Sequence, residues 1–284
     1  MCFNQSMVKQ AEKRGVSPGV GLALGGGVLY TVAGIGVYRV LEEAGIVVEA
    51  VSGTSGGAII GAAIAAGLTA SEIEKIAVKL RWHNLAWPLP ARSGFLNGRP
   101  LARFVEQMTG CRNIEDLKIP FSVVATDINT GEEIRFKEGP LGPAVQASCS
   151  IPGLFQPLKM GDKLLVDGGI VDNIPVSAVR EFGQRAVVAV DVLRFFEGHQ
   201  DNLKSGIQVM LKSYQVMVKL ISESFARPAD LVIMPHVSGC SFATFHDVEK
   251  IIRRGEEAAS AILPRLRAII DEHARGNPPV AWDE

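Results

Sequence analysis

The segment "VSGTSGGAII", residues 51–60, places a serine between glycines directly after a short apolar run. A strand that passes at once into a helix is the joint from which α/β sheets are built. The segment matches GxSxG, in which a strained strand-to-helix turn lifts the serine hydroxyl out of the sheet. Two interpretations of Ser55 stay open on these residues alone. It is a nucleophile with Gly53 and Gly57 as its small neighbours, or one small residue in a tightly packed joint.

The rest of the chain alternates apolar strand patterns with helical stretches. This alternation predicts an α/β fold, a three-layer αβα sandwich with a mostly parallel central sheet. The predicted strands are 20–24, 46–52, 121–128, 163–167, 185–192 and 231–237, with an edge strand at 132–136. The predicted helices are 28–45, 71–80 with a capping box of Ser71 and Glu74, 205–225, and 245–273 with a kink or break before Pro264.

Composition bounds the organisation and the partners. A hydrophobic content of 47% supports a sizeable core, and no repeat or composition break marks a linker. We therefore expect one domain over residues 18–273, with tails at 1–17 and 274–284. The balance of 29 basic against 30 acidic side chains argues against nucleic acid as a partner.

Cysteine usage and the first residues predict the compartment. The four cysteines stand far apart, without the paired spacing of zinc or redox motifs, and no metal-ligand spacing occurs elsewhere. The first fifteen residues carry no apolar core of a secretory signal. Both features predict a cytoplasmic protein. Uncharged windows at 15–38 and 50–71 break at glycine clusters, which favours buried strand–turn–helix units over membrane spans.

A second glycine turn, "LGGG" at 24–27, also follows an apolar strand and precedes a helix. Backbone N–H groups at such a turn can hold a negative charge, either a phosphate or a reaction's oxyanion. The turn fails the dinucleotide fingerprint because Tyr30 stands at the third glycine position, and GxxxxGK[ST] is absent from the sequence. An oxyanion hole or plain close packing remains.

A serine nucleophile needs a base, and two kinds are present. The order Ser…Asp…His of α/β-hydrolases is met by Ser55, a middle aspartate and His236 or His246. The other is Asp167, which ends the apolar strand of "LLVDGGIVDNIPV" and is followed by Gly168 and Gly169. A carboxylate exposed by a glycine turn at a strand's end is where open α/β sheets place catalytic groups. A turn cap is the alternative for Asp167.

The chain resembles the patatin-like phospholipases, a family of lipid acyl hydrolases. The resemblance is carried, in the family's order, by "GGG" with "GIGVYRVLEEAGI" behind it, "GTSGG", "VATDINTGEE", "ASCSIPGLFQPL" and "LLVDGGIVDNIPV", over roughly residues 19–265. It implies a dyad of Ser55 as nucleophile and Asp167 as base, with an oxyanion hole of Gly25, Gly26 and Gly27. It further implies an acyl ester of a lipid as substrate and no metal or cofactor.

One loop departs from the family's pattern. Members commonly have a fourth glycine and then an arginine and a glycine in the first loop, where this chain has Val28, Tyr30 and Thr31. A phosphate head group loses one partner with that arginine. Ester hydrolysis in general is therefore favoured over phospholipase activity, and a lipid-binding protein with weak turnover is the rival interpretation.

Two further segments could touch lipid. Residues 81–98 are interrupted by prolines and carry Trp82, Trp87 and Phe95, which suits a cap on an acyl groove, a bilayer contact, or packing over the sheet. The helix at 205–225 is apolar on most faces, which suits burial, a homodimer contact, an acyl-chain wall, or peripheral contact with a membrane.

Overall fold

The computed structural model describes residues 19–91, 94–184, 186–195, 205–226, 228–241 and 244–275. The predicted tail at 1–17 and residues 276–284 of the other tail lie outside these residues. The described strands are β1 (Val20–Leu24), β2 (Val48–Thr54), β3 (Trp87–Ala91), β4 (Gly94–Asn97), β5 (Phe121–Asp127), β6 (Glu133–Phe136), β7 (Leu158–Met160), β8 (Lys163–Asp167), β9 (Ala186–Val190) and β10 (Leu231–Ile233).

The described α-helices are α1 (Ala33–Glu43), α2 (Gly56–Ala65), α3 (Ala70–Lys79), α4 (Trp82–Leu85), α5 (Arg99–Thr109), α6 (Leu141–Ser148), α7 (Val176–Arg180), α8 (Gly206–Ala226) and α9 (Val248–Ala274). Short 3₁₀ turns lie at Val28–Val32, Ile114–Asp116, Gly168–Ile170 and Phe245–Asp247. The two uncharged windows thus form strand–turn–helix units, as predicted. No helix in the described part of the chain combines the length and apolar composition that crossing a bilayer requires.

The central sheet has the strand order β10-β9-β1-β2-β5-β8-β7, with β6 also pairing to β5. The five strands from β10 to β5 run parallel, whereas β6, β7 and β8 pair antiparallel. The order reverses between β9 and β1, so the carboxyl ends of these two strands border the crevice where such sheets bind ligands, and β2 lies next to β1. This sheet, flanked by helices, confirms the predicted fold class.

The two faces of the sheet carry residues of different size. Leu22, Leu24 and Val51 pack into the larger core with α1, α2 and α9, whereas Ala23 and Ala50 face the smaller core under α7. This follows from the two-residue period of a strand. The larger core therefore lies on the face of the sheet that is covered by α2, the helix that follows Ser55.

One expectation for a helix end is wrong. The capping box of α3 is formed by Thr69 and Glu72, not by Ser71 and Glu74, because the helix begins at Ala70 and Glu74 instead pairs with Arg39. Both pairs match the same four-residue pattern, so the sequence alone does not choose between them.

Pro264 lies inside α9, which continues from Val248 to Ala274 without a break. The proline removes one hydrogen bond, to the carbonyl four residues earlier, and Ser260 at that position is exposed to water. Burial of Leu266 and Ile269 on the following turns keeps the helix on the core.

Strand register brings the two distant parts of the site to one level. Thr54 of β2 lies opposite Val124 of β5, and Ala125 of β5 lies opposite Asp167 of β8. Since β8 runs antiparallel to β5, its last residue reaches the level at which β2 ends. Ser55 and Asp167 are therefore placed side by side, although 112 positions separate them in sequence.

Candidate active site

Ser55 occupies a strained turn between β2 and α2. Its backbone has φ 54° and ψ −129°, a region that side-chain-bearing residues rarely adopt. The turn is held from both sides, because the Ser55 N–H donates to Ser148 Oγ at 2.7 Å and the Ser55 carbonyl accepts from the Ala58 N–H at 2.9 Å. A Cβ at Gly57 would lie 2.3 Å from the Leu24 carbonyl oxygen, so only glycine fits there.

Asp167 faces the serine directly. The Ser55 hydroxyl donates to Asp167 Oδ2 at 2.6 Å, and the Gly169 N–H donates to Oδ1 at 2.8 Å. Next to it, Gly168 passes so close to β5 that a Cβ there would lie 2.3 Å from the Val124 carbonyl oxygen. One carboxylate oxygen is thus fixed by the backbone while the other contacts the hydroxyl.

The carboxyl of Asp167 is buried, and this burial raises its pKa to about 6. Hydrogen bonds from Ser55, Gly169 and Tyr214 oppose the rise, because they stabilise the charged form. The group remains mostly ionised at neutral pH but is a stronger base than an exposed aspartate. Geometry and electrostatics therefore suit proton abstraction from the serine.

Tyr214, on the inner face of α8, is a site residue that the sequence analysis missed. Its hydroxyl lies beside Gly169 and hydrogen-bonds to Asp167. Burial, and then the charge of Asp167, raise the pKa of Tyr214 well above its ordinary value, so it stays protonated as a donor. The apolar spacing of the segment predicted a helix face but gave no signal for this contact.

Cys149 and Ser148, at the end of α6, were also missed. Ser148 Oγ accepts the hydrogen bond from the Ser55 N–H, and the buried Cys149 lines the cavity beside Ser55. Burial, and then the charge of Asp167, raise the pKa of Cys149 well above its usual range. The thiol is therefore protonated, and a protonated thiol is a poor nucleophile.

The glycine loop after β1 differs from the expected oxyanion hole. The Gly25 N–H donates to the Val190 carbonyl at 3.1 Å, and the Gly26 N–H donates to the Asn173 carbonyl at 3.2 Å. Two of the three expected donors are thus already used to fix the loop, which corrects the expectation for Gly25 and Gly26. Among the described residues, the N–H groups of Gly27 and Gly56 have no such acceptor, and both residues line the cavity.

Asp172 and Asn173 support this arrangement, as turn residues beside the base. The Asn173 amide donates to Ser222 Oγ at 2.9 Å and to the Gly26 carbonyl at 3.4 Å. The Asp172 carbonyl accepts from Thr54 Oγ1 at 2.9 Å, one residue before the serine. Burial, and then the charge of Glu133, raise the pKa of Asp172 to about 7. Asp172 and Asn173 therefore connect the glycine loop to the turn that carries Ser55.

An apolar cavity of about 210 Å³ lies beside Ser55 and Asp167. It exceeds the roughly 150 Å³ cavity that holds benzene in an engineered protein, so a hydrocarbon segment fits. Asp167 is the one charged residue among those that line the described cavity. The apolar lining comes mainly from helices on both sides, namely Ile59, Ile73, Ile76, Leu80, Leu85, Leu101, Phe104, Met108, Ile151, Leu154, Phe155, Leu211 and Val218.

The two histidines considered as bases, His236 and His246, do not line the cavity. His236 is exposed and stacks on Phe195 with ring centroids 5.0 Å apart, and His246 is exposed in the 3₁₀ turn before α9. Neither residue lines the cavity that contains Ser55. The geometry therefore brings Asp167, and neither of these histidines, to the serine.

The departures in the first loop are accommodated by packing. The Tyr30 hydroxyl donates to the Cys240 carbonyl at 2.9 Å, so this side chain points into the core. The Thr31 hydroxyl donates to the Val28 carbonyl at 2.7 Å. Val28 itself has φ 50°, a strained value for a β-branched residue. Within the described residues, no group of side chains is arranged to hold a metal ion.

Comparisons with known proteins identify the family of this chain. Residues 22–180, more than half of the chain, match the model of the family described as patatin-like phospholipase. The chain is 31% identical over 272 residues to an uncharacterized NTE family protein of Mycobacterium tuberculosis, covering 86% of this chain and 46% of that protein. It is 36% identical over 210 residues to a patatin-like phospholipase domain-containing protein of Caenorhabditis elegans, covering 68% of this chain and 15% of that protein.

The fold agrees with a solved structure as well. VipD from Legionella pneumophila superimposes with a TM-score of 0.51 at 14% identity, covering 88% of this chain and 67% of that one. The chain spans less than half the length of the mycobacterial relative. With the elbow, the glycine loop and the aspartate turn all inside the matched residues, the chain belongs to the patatin-like phospholipase family.

Proposed function

We propose that the protein is a serine lipid acyl hydrolase that cleaves carboxylic esters of lipids through a Ser55–Asp167 dyad. The observation that supports it most is the 2.6 Å hydrogen bond from the Ser55 hydroxyl to a buried carboxylate, beside an apolar cavity. The family of this chain and the NTE family of its mycobacterial relative agree with lipid hydrolysis.

In the proposed first half-reaction, the acyl chain lies in the cavity with its carbonyl carbon at the Ser55 hydroxyl. Asp167 takes the hydroxyl proton as the oxygen attacks the carbonyl carbon. The Gly27 and Gly56 N–H groups donate to the oxyanion, and each such donor is worth about 100- to 1,000-fold in kcat. The attack forms a tetrahedral intermediate. Collapse of this intermediate breaks the ester bond, and Asp167 returns the proton to the leaving alcohol.

In the second half-reaction, water replaces the alcohol. Asp167 takes a proton from the water as it attacks the acyl-enzyme, and the fatty acid leaves as Ser55 regains its proton. Tyr214 and the Gly169 N–H hold the carboxylate in place through both steps. No histidine takes part in this scheme.

The cavity also favours uncharged head groups. No basic side chain is among the residues that line it in the described structure, and Tyr30 at the family's arginine position points away into the core. We expect kcat/KM for a monoacylglycerol to equal or exceed that for lysophosphatidic acid with the same acyl chain. A strong preference for the phosphate-bearing lipid would contradict this assignment of the head group and leave the dyad untouched.

The test of the function is hydrolysis of p-nitrophenyl butyrate by the wild type and by Ser55→Ala, Asp167→Asn and His236→Ala. Loss of activity in the first two variants alone, with unchanged circular dichroism, supports the dyad. Equal loss in His236→Ala would support a triad instead. Folded wild type that is inactive on butyrate and lipid esters would favour the second candidate, a lipid-binding protein with weak turnover. The observation that favours this candidate is that the Gly25 and Gly26 N–H groups already donate to carbonyls within the protein.

A further inference from the structure

Large apolar side chains stand exposed on two elements near the cavity. On the β3–β4 hairpin, Trp87 and Phe95 are 50% and 53% exposed. On α8 the exposed fraction of five side chains ranges from 36% to 67%, and these are Val209, Met210, Val216, Met217 and Leu220. Clusters of this kind mark a surface that binds something, whereas isolated exposed apolar residues do not.

The hairpin and α8 border the same stretch of cavity wall, the turn at 151–155. The N–H groups of Phe95 and Leu96 both donate to the Leu154 carbonyl at 3.0 Å. On the other side, a Cβ at Gly153 would lie 2.5 Å from Met210 Sδ, so the first turns of α8 press against this turn. Leu96 and Leu211 pack on the same small cluster as Phe155. Hairpin, turn and helix therefore form one continuous rim.

The composition of α8 suits a lipid surface. Val209, Val216 and Leu220 recur at spacings of seven and four residues, which places them on one face, opposite the inward Tyr214 and Val218. Residues 206–222 contain no acidic side chain, and lysines stand at positions 212 and 219 along one edge of the apolar face. An apolar face with a basic edge is the pattern of helices that lie in a membrane interface.

We infer that the rim formed by the hairpin and the outer face of α8 rests on the surface of an anionic phospholipid bilayer. This inference rests on the proposed function, because a lipid surface at the rim delivers an acyl chain directly into the cavity. A second copy of the chain seated there would cover the rim beside this cavity wall and would leave no lipid surface next to it. Trp87 and Phe95 would enter the interface beside the opening, where amphipathic and aromatic rings are favoured.

The experiment is co-sedimentation with phosphatidylcholine vesicles, with and without phosphatidylglycerol, using the inactive Ser55→Ala protein so that no lipid is consumed. Two further variants in that background are the triple Val216→Ser, Met217→Ser, Leu220→Ser and the double Trp87→Ser, Phe95→Ser. Val47→Ser is the matched control, because Val47 is 50% exposed and precedes β2, at the opposite end of that strand from Ser55. Thermal melts confirm that each variant is folded.

We expect the Ser55→Ala protein to bind vesicles more tightly when phosphatidylglycerol is present. Both rim variants should bind at least about tenfold more weakly, and Val47→Ser should bind unchanged. The same rim substitutions on the active protein should leave hydrolysis of the water-soluble p-nitrophenyl butyrate unchanged. This separates docking from chemistry, since vesicle binding without hydrolysis of any ester would overturn the proposed function alone.

Three results would overturn the docking surface. The parent protein does not bind either vesicle, the rim variants bind as the parent does, or sedimentation velocity shows a dimer that the triple variant converts to a monomer without a change in vesicle binding. The last result would assign this face to a second copy of the chain.

Discussion

The turns that follow β1 and β2 each contain a non-glycine residue with positive φ, but the two turns present different groups to the site. Val28 and Ser55 are the two non-glycine residues with positive φ in the described structure, at 50° and 54°. They stand at the carboxyl ends of adjacent parallel strands. After β2 the strained residue presents a side chain, the Ser55 hydroxyl. After β1 the strained residue, Val28, lies in a loop whose proposed contribution to the site is a backbone N–H group, that of Gly27.

The difference lies in which groups are fixed and which are left free. The Ser55 backbone is fixed through Ser148 and Ala58, which leaves its hydroxyl to face Asp167. The Gly25 and Gly26 N–H groups are fixed to carbonyls of other segments, which leaves Gly27 facing the cavity. Strain at functional sites is common where the surrounding structure fixes it.

Among substitutions at these two turns, Ser55→Gly should have the largest effect on activity. Glycine adopts the turn without strain, so the free energy of unfolding should stay the same or rise by about 1 kcal/mol, while kcat for ester hydrolysis falls at least about 1,000-fold. Urea unfolding and a p-nitrophenyl butyrate assay measure the two. Ser52→Ala, which removes a buried hydroxyl on the same strand, is the control and should retain activity. Substantial activity in Ser55→Gly would mean that another group is the nucleophile.

The next effect concerns pH. The base must be ionised to take the serine proton, and the pKa of Asp167 is raised to about 6. We therefore expect kcat/KM to be half-maximal near pH 6, to fall about tenfold per pH unit below it, and to level off above pH 7. Initial rates with a neutral ester between pH 4.5 and 8.5 measure this. A profile that is flat down to pH 4.5 would mean that burial does not control the base.

Tyr214→Phe should have a smaller effect that depends on pH. The Tyr214 hydrogen bond lowers the pKa of Asp167, so its loss should move the midpoint of the profile up by about one pH unit. Activity should fall several-fold at pH 6 and recover toward the wild-type rate at pH 8.5. Tyr38→Phe on α1 is the matched control, since its hydroxyl bonds to Glu42. A loss that is equal at all pH values would assign Tyr214 a packing role only.

The smallest effect is at Val28. Because glycine tolerates positive φ and alanine does not, Val28→Gly should be more stable than Val28→Ala by about 1 kcal/mol. At the exposed Ser71 within α3, the order should be the reverse, with alanine the more stable. Urea unfolding of the four variants decides it. The same order at both positions would contradict the strained conformation of Val28.

The sequence was informative where the chemistry is local. The glycines around Ser55 and after Asp167 predicted tight turns, because only small residues fit where backbones approach this closely. The alternation of apolar strand patterns with helical patterns predicted the order of strands and helices along the chain, because each of these patterns is local in the sequence. The antiparallel direction of β8 was not predictable, since it depends on pairing with β5.

What the sequence could not supply depends on long-range contacts. Whether a glycine N–H is free depends on Val190 and Asn173, which lie far along the chain. Tyr214 reaches Asp167 from a helix whose pattern reports only which face is apolar. The capping box failed for another reason, because two overlapping pairs fit the same local rule.

Activation of Ser55 by Asp167 is the step on which the proposed function depends. Its most direct test is mass spectrometry after incubation with a fluorophosphonate probe. We predict a single adduct on the peptide that contains Ser55, absent in Ser55→Ala, formed far more slowly in Asp167→Asn, and formed normally in His236→Ala. Folded wild-type protein that forms no adduct, or forms it on another serine, would contradict the assignment of Ser55 as the nucleophile.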